Sequence, residues 1–166
     1  MRISPKKIAA FTLMEIMVAL AILAILLLIA VPSTGSSVIR KKVNDAMQLA
    51  DVVKKPIEAQ WLSVGMLPKN NAEAGVPDPD KIVSEYIHSI EVDKGAIHLI
   101  FGNISTPPAL KDKVLTLRPA VVEDEHSVPI SWVCGHAPAP DGMQAQGTDK
   151  TDIPEKYLPI RCLDKK

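Results

Sequence analysis

Hydrophobic and polar positions divide the chain into three stretches. From residue 11 to residue 31 almost every position is apolar, and residues 16–31 carry neither a charge nor a hydrogen-bonding side chain. At 1.5 Å per residue this run makes about 31 Å of helix, the thickness of a hydrocarbon core. Beyond it Val43, Met47, Ala50, Val53, Ile57 and Trp61 recur at three- and four-residue spacing. That period predicts an amphipathic helix that lays one stripe on a core, with Met47 and Trp61 as packing residues. Pro56 predicts a bend within it and Met66-Leu67-Pro68 its end.

The pattern then changes to short alternating runs. Residues 86–92 and 96–101 flank Asp93-Lys94-Gly95, a turn that reads as a hairpin. Val114-Leu115-Thr116-Leu117-Arg118-Pro119 predicts a third strand and Ile130-Ser131-Trp132-Val133-Cys134 a fourth. A long helix followed by four short strands gives an α+β fold, the amphipathic half of the helix packed on a four-stranded antiparallel sheet. Residues 69–81, polar and broken by Pro77 and Pro79, read as an exposed loop.

One residue does not fit the apolar run. Glu15 lies near its start, and a carboxylate at the edge of a bilayer-length segment costs several kcal/mol unless it is paired. Ahead of the run stand Arg2, Lys6 and Lys7 with no acid. A basic stub before an apolar run first suggests a cleaved secretory signal. Here the run is too long for that, no A-x-A site follows it, and Pro32 stands directly behind. A plain membrane anchor leaves Glu15 unexplained, and Arg40, Lys41 and Lys42 beyond the run remove any charge asymmetry that would orient it.

The block Ala10-Phe11-Thr12-Leu13-Met14-Glu15 resembles the class III signal of type IV prepilins. The resemblance implies a leader, residues 1–10, cut between Ala10 and Phe11 by a prepilin peptidase that also methylates the new Phe11 amine. Ala10 departs from the glycine more usual in the family. Residues 11–37 are then a transmembrane and later filament-core helix, and 38–166 a globular head. Within the head, helix 38–66, loop 67–85, sheet 86–134 and a disulfide loop 134–162 follow in order. Glu15 is implied to pair with the Phe11 amine of a neighbouring subunit during assembly. Pro32 marks a kink, and residues 32–37 read either as a pliable stretch of the rod or as a simple linker. The order of elements is similar to the type IVa layout, and Leu158-Pro159-Ile160-Arg161-Cys162 fits its carboxy-terminal pattern.

Charge and cysteines add two points. The chain carries 19 basic and 19 acidic residues, so no global basic surplus marks a nucleic-acid binder. Lys150, Lys156, Arg161, Lys165 and Lys166 could form a local strip for DNA, but Asp149, Asp152, Glu155 and Asp164 are interspersed. Cys134 and Cys162 are the two cysteines. Buried separate thiols are the alternative to a bond between them, and the export signal favours the bond.

Catalytic chemistry is not written in the sequence. His88, His98, His126 and His136 are scattered, Cys134-Gly135-His136 gives one weak metal-like spacing, and neither a phosphate loop nor a nucleophile elbow is present. Asn103-Ile104-Ser105 fits a minimal glycosylation sequon. The reading is a structural, non-enzymatic filament subunit without cofactor or metal. It would sit as a single-pass protein of the inner membrane before the pilus assembly machinery incorporates it into an extracellular homopolymer. Adhesion, twitching motility and DNA uptake are roles the resemblance implies. A DNA-binding minor pilin and a secretion-system pseudopilin are the alternatives.

Overall fold

The computed structural model describes residues 11–30 and 34–164. The leader 1–10 with Ala10, the proline at position 32 and Lys165-Lys166 lie outside the described residues. The chain divides into two compact units, Met1–Thr34 and Gly35–Lys166, and each has its own logic.

Among the described residues the first unit holds the helix α1, Leu13–Ala30. Its start is set by Thr12, whose hydroxyl accepts the Glu15 backbone N–H at 3.2 Å while its carbonyl accepts the Ile16 N–H at 3.3 Å. Thr12 and Glu15 thus form half of a capping box. Apolar side chains point all round α1, and every residue over 11–27 is exposed. The helix rises about 27 Å. Among the described residues no helix is long and apolar enough to cross a membrane; Phe11 and Thr12 precede the helix rather than extending it.

The second unit opens with α2, Thr34–Leu49, and α3, Asp51–Val64. The expected helix 38–66 therefore starts earlier, ends sooner and is interrupted. Thr34 to Ser37 are helical although each is a weak helix former, because such preferences amount to only about 0.5–1 kcal/mol per residue and context overrides them. The step falls at Ala50, not at Pro56: the N–H groups of Val53 and Lys54 both reach the Ala50 carbonyl at 2.9 Å. Pro56 sits inside α3, where its missing N–H frees the carbonyl of Val52, a residue on the solvent side. Gly65, at φ 68°, ends α3 by donating its N–H to the Trp61 carbonyl.

Strands β1 (Ile87–Asp93), β2 (Ala96–Phe101), β3 (Val114–Val121) and β4 (Ser131–Cys134) form an antiparallel sheet in that order. Lys94 at φ 50° and Gly95 at φ 81° close the β1–β2 hairpin between the paired Asp93 and Ala96, the two-residue turn whose twist matches the strands. The four expected strands are present, and a two-residue fifth, β5 (Gln144–Ala145), adds to them. Ala120 pairs with both Ser131 of β4 and Ala145 of β5, so β5 lies on the β2 side of β3 and continues where β2 stops. It is only two residues long, and no hydrophobic alternation announces it.

The core lies between the helices and the sheet. Val43, Ala46, Met47, Ala50, Val53 and Ile57 present the predicted stripe to Ile90, Ile97, Leu99, Phe101, Leu115 and Leu117, all buried. The loop 67–85 is less exposed than its polarity suggested. Asn71, 5% exposed, donates to the carbonyls of Pro77 and Ile90 and accepts the Val92 N–H at 2.7 Å. Its amide thus substitutes for a neighbouring strand along the edge of β1.

Candidate functional site: the apolar helix and the disulfide-closed edge

Two regions carry the functional expectations. In α1, Glu15 is the single charge, and it occupies the third position of the helix behind the Thr12 cap. Three N–H groups at a helix start lack partners and carry partial positive charge, so a carboxylate is favoured there by about 0.3–1 kcal/mol. The carboxylate has no ion-pair partner among the described residues. Phe11 stands two residues before the helix and is 76% exposed.

The other region is the segment between the two cysteines. Cys134 ends β4 and Cys162 lies in a short 3-10 turn; they are bonded, with Cα atoms 4.5 Å apart. Both are buried. Gly135 follows at φ 53°, and a Cβ there would stand 3.0 Å from the Cys162 carbonyl oxygen, so the crossing of the two strands of chain requires glycine. A link across this separation restrains the unfolded chain by about 3.5 kcal/mol.

Along β3 the segment works as a strap. The Val114 N–H donates to Asp152 Oδ1, the Asp152 N–H returns to the Val114 carbonyl, and the Thr116 N–H donates to Thr151 Oγ1. These bonds occupy the flank of β3 that β4, paired only with Leu117 to Ala120, leaves open. Ion pairs fix the strap at both ends, Lys150 to Asp93 at 3.2 Å and Lys113 to Asp152 at 3.1 Å. The Lys150 hydrogen bond, ahead of its charge, holds the Asp93 carboxyl below the usual range.

Beneath the strap lies His98, 1% exposed. The Lys150 backbone N–H donates to Thr116 Oγ1 at 3.0 Å, and that hydroxyl is 3.0 Å from His98 Nδ1. The hydroxyl and Nδ1 share one hydrogen bond whose direction follows the ring tautomer, and Nε2 is buried without a partner. Burial pushes the imidazole pKa down, aided by the Lys150 charge and opposed by Glu91, Asp93 and Asp149.

The remaining candidates separate. Lys150 sits against Asp93 at the β1–β2 turn, whereas Arg161 donates to Asn44 of α2 and Lys156 offers its carbonyl to Arg40. Among the described residues the proposed DNA strip is therefore not one surface. His136 pairs with Asp149 at 2.9 Å rather than with Cys134, whose sulfur is in the disulfide. Desolvation raises the Asp149 pKa, but hydrogen bonds from Thr151 and the His136 contact outweigh it and hold the carboxyl low. Asn103 spends both ends of its amide internally, on the Ser84 carbonyl and the Ile104 N–H. The Asn71 clip and the Gly65 cap were missed from sequence, although a glycine just after the last periodic residue is a readable stop signal.

Against known proteins, a family model described as pilin (bacterial filament) matches residues 40–163. A second, the prokaryotic N-terminal methylation motif, matches residues 5–31. The chain is 30% identical over 159 residues to the type IV major pilin protein PilE1 of Neisseria gonorrhoeae, covering 93% of this chain and 86% of that one. It is 30% identical over 162 residues to a fimbrial protein of Neisseria meningitidis serogroup B, covering 93% of each. The fimbrial protein EcpC of Eikenella corrodens is 26% identical over 156 residues, 92% of this chain and 88% of that one.

Proposed function

Because the chain belongs to the pilin family of bacterial filament subunits, we propose that it is the major subunit of a type IV pilus, processed and assembled through α1. One observation carries the reading: α1 is apolar on every side, is exposed over residues 11–27, and bears a lone carboxylate at its capped start. A helix hydrophobic all round must be buried by something. The lipid of the inner membrane covers it first, and the α1 helices of other subunits cover it in the filament.

Cleavage between Ala10 and Phe11 by the prepilin peptidase creates an α-amine, methylated by the same enzyme, two residues ahead of the helix. That ammonium and Glu15 of an adjacent copy lose less as a buried pair than either does alone, whereas separating them costs roughly 3–5 kcal/mol. The pairing thereby selects one stagger of neighbouring helices. Long relatives named as type IV major pilins support the major-subunit assignment. Adhesion and twitching motility follow from a retractable surface filament of this kind, and the assembly machinery of the inner membrane is its partner.

Electron microscopy of sheared filaments, with mass spectrometry of their main component, tests this directly. The expected mass is that of residues 11–166 plus one CH2, the net gain of a single N-methylation, and minus the two hydrogens lost in the disulfide. Glu15→Ala should lower filament yield on the order of a hundredfold, the factor that about 3 kcal/mol implies, while the head keeps its disulfide and melting temperature. Abundant filaments from that variant would refute the pairing.

A further inference from the structure

The head carries two exposed charged features at opposite ends of its helix pair, the acidic one including Glu123, which accepts a hydrogen bond from Gln144, and Glu125, which accepts one from Ser127. At the α3 exit, a groove of about 460 Å³ lies between Trp61, Val64, Leu67 and Val121. These four supply its apolar side, with Val64 55% exposed, while polar groups that include His126 and Gln146 make up the larger part of its lining. Three consecutive carboxylates, Glu123, Asp124 and Glu125, form the rim, all exposed and none in an ion pair among the described residues. At the other end, the first turns of α2 present Val38, 52% exposed, and Lys41, also exposed and in no ion pair among the described residues. Their i, i+3 spacing puts both on one face. The flanking cations are already engaged: Arg40 donates to the Lys156 carbonyl, and Lys42 sits 3.9 Å over the Tyr86 ring.

We propose that the groove is the socket for the first turns of α2 of another copy, Lys41 meeting the carboxylate rim and Val38 packing beside it on the exposed Val64. The inference rests on the filament reading above and deepens it by naming a head-to-head contact apart from α1. Three arguments favour a second copy as occupant. An open filament of identical subunits requires a heterologous contact, in which donor and acceptor patches differ and no ring closes. The donor and acceptor here lie about 40 Å apart along a nearly continuous helix, 27 residues at 1.5 Å each, so a shift along that axis brings them together. Their chemistry matches in both parts, aliphatic against aliphatic, ammonium against carboxylate. Asp45 lies one turn beyond Lys41 and limits the insertion to those first turns.

A carbodiimide that joins amines to carboxylates without a spacer tests the contact in intact wild-type filaments. The separation within one copy is too great for a direct link, so any Lys41 bond to Glu123, Asp124 or Glu125 joins two copies. The expected result is that cross-linked peptide in the digest. Filaments that cross-link at other pairs and not at this one overturn the proposal. Absence of wild-type filaments counts instead against the subunit reading, and the socket falls with it. A charge swap adds the quantitative arm: Lys41→Glu and Glu123→Lys each lower filament yield about fivefold, and the double variant recovers most of it. Single reversals at wild-type yield, or a double no better than the singles, overturn the proposal as well.

Discussion

The two helical regions of this chain use apolar residues in opposite ways. The helix pair of the head concentrates them on one stripe, and the sheet covers that stripe completely: Val43, Ala50, Val53 and Ile57 are 0% exposed. In α1 they cover the whole circumference, and every residue over 11–27 is exposed. The head is therefore a folding unit, and α1 is an association unit whose stability is supplied from outside. The sharpest way to break this contrast is a pair of truncations. Ile57→Ala should destabilise the head by about 4 kcal/mol, from lost transfer energy and an unfilled cavity. Leu20→Ala in α1 should leave head stability unchanged within about 0.5 kcal/mol and lower filament yield instead. Urea unfolding of the full chain in mild detergent, followed by Trp fluorescence, reads the first effect. A comparable loss from Leu20→Ala would show that α1 and the head fold as one.

Next in size comes the covalent clamp. Cys134→Ser with Cys162→Ser should lower head stability by about 3.5 kcal/mol in the same unfolding experiment. The loss should appear with little change at α1, because the strap holds β3 and not the first helix. Smaller again is the Asn71 clip. Asn71→Leu leaves the Ile90 carbonyl and the Val92 N–H without partners at a buried edge, which costs about 1–3 kcal/mol. Hydrogen exchange should report it locally, with the Val92 amide losing protection before those of β3.

How legible the chain was from sequence follows the same division. The period of 3–4 residues from Val43 to Trp61 identified the packed stripe, since burial on one face leaves a periodic trace. The β1–β2 hairpin was equally plain, because the short Gly-containing turn Asp93-Lys94-Gly95 stands between two strand-like runs; that Lys94 as well as Gly95 takes a positive φ is seen only in the structure. Glu15 stood out because a charge in an apolar run demands a reason, but its local partner, the Thr12 cap, went unread. What was missed depends on contacts distant in sequence and made by the backbone. Strand β5 has two residues, and its pairing with Ala120 and Val121 is fixed by the strap and not by its own side chains. Asn71 looked like any loop asparagine, since nothing local reveals that an edge strand waits 19 and 21 residues away. The break at Ala50 likewise carries no signal: alanine is the best helix former.

The smallest effect separates the two regions by pH. His98 is a titrating group sealed under the strap, on the face of the sheet turned away from the helices. Its folded pKa is lowered from 6.5 by burial first. A lowered imidazole pKa means that the unfolded chain binds the proton more tightly than the fold does. Stability from the neutral ring is then fully present above pH 6.5 and declines as the pH falls below it, by at most about 1.4 kcal/mol per unit. Asp149 behaves in the reverse sense. Its depressed carboxyl contributes stability above pH 3.8 that is lost only as the pH falls further, so the window from about 6.5 down to 4 belongs to His98. In the charged ring both nitrogens donate, so that the Thr116 hydroxyl receives two N–H groups, from Nδ1 and from Lys150, and the Nε2 N–H is buried without a partner. The strap should therefore loosen first, with the amides of Lys150 and Thr116 exchanging faster at pH 5 than at pH 7.5 after correction for intrinsic rates. His98→Leu should flatten that dependence while lowering stability at neutral pH, since the Thr116 hydroxyl then loses its hydrogen bond to the imidazole. An unchanged pH slope in that variant would remove His98 as its source, and the titrating group would have to be sought on the exposed surface.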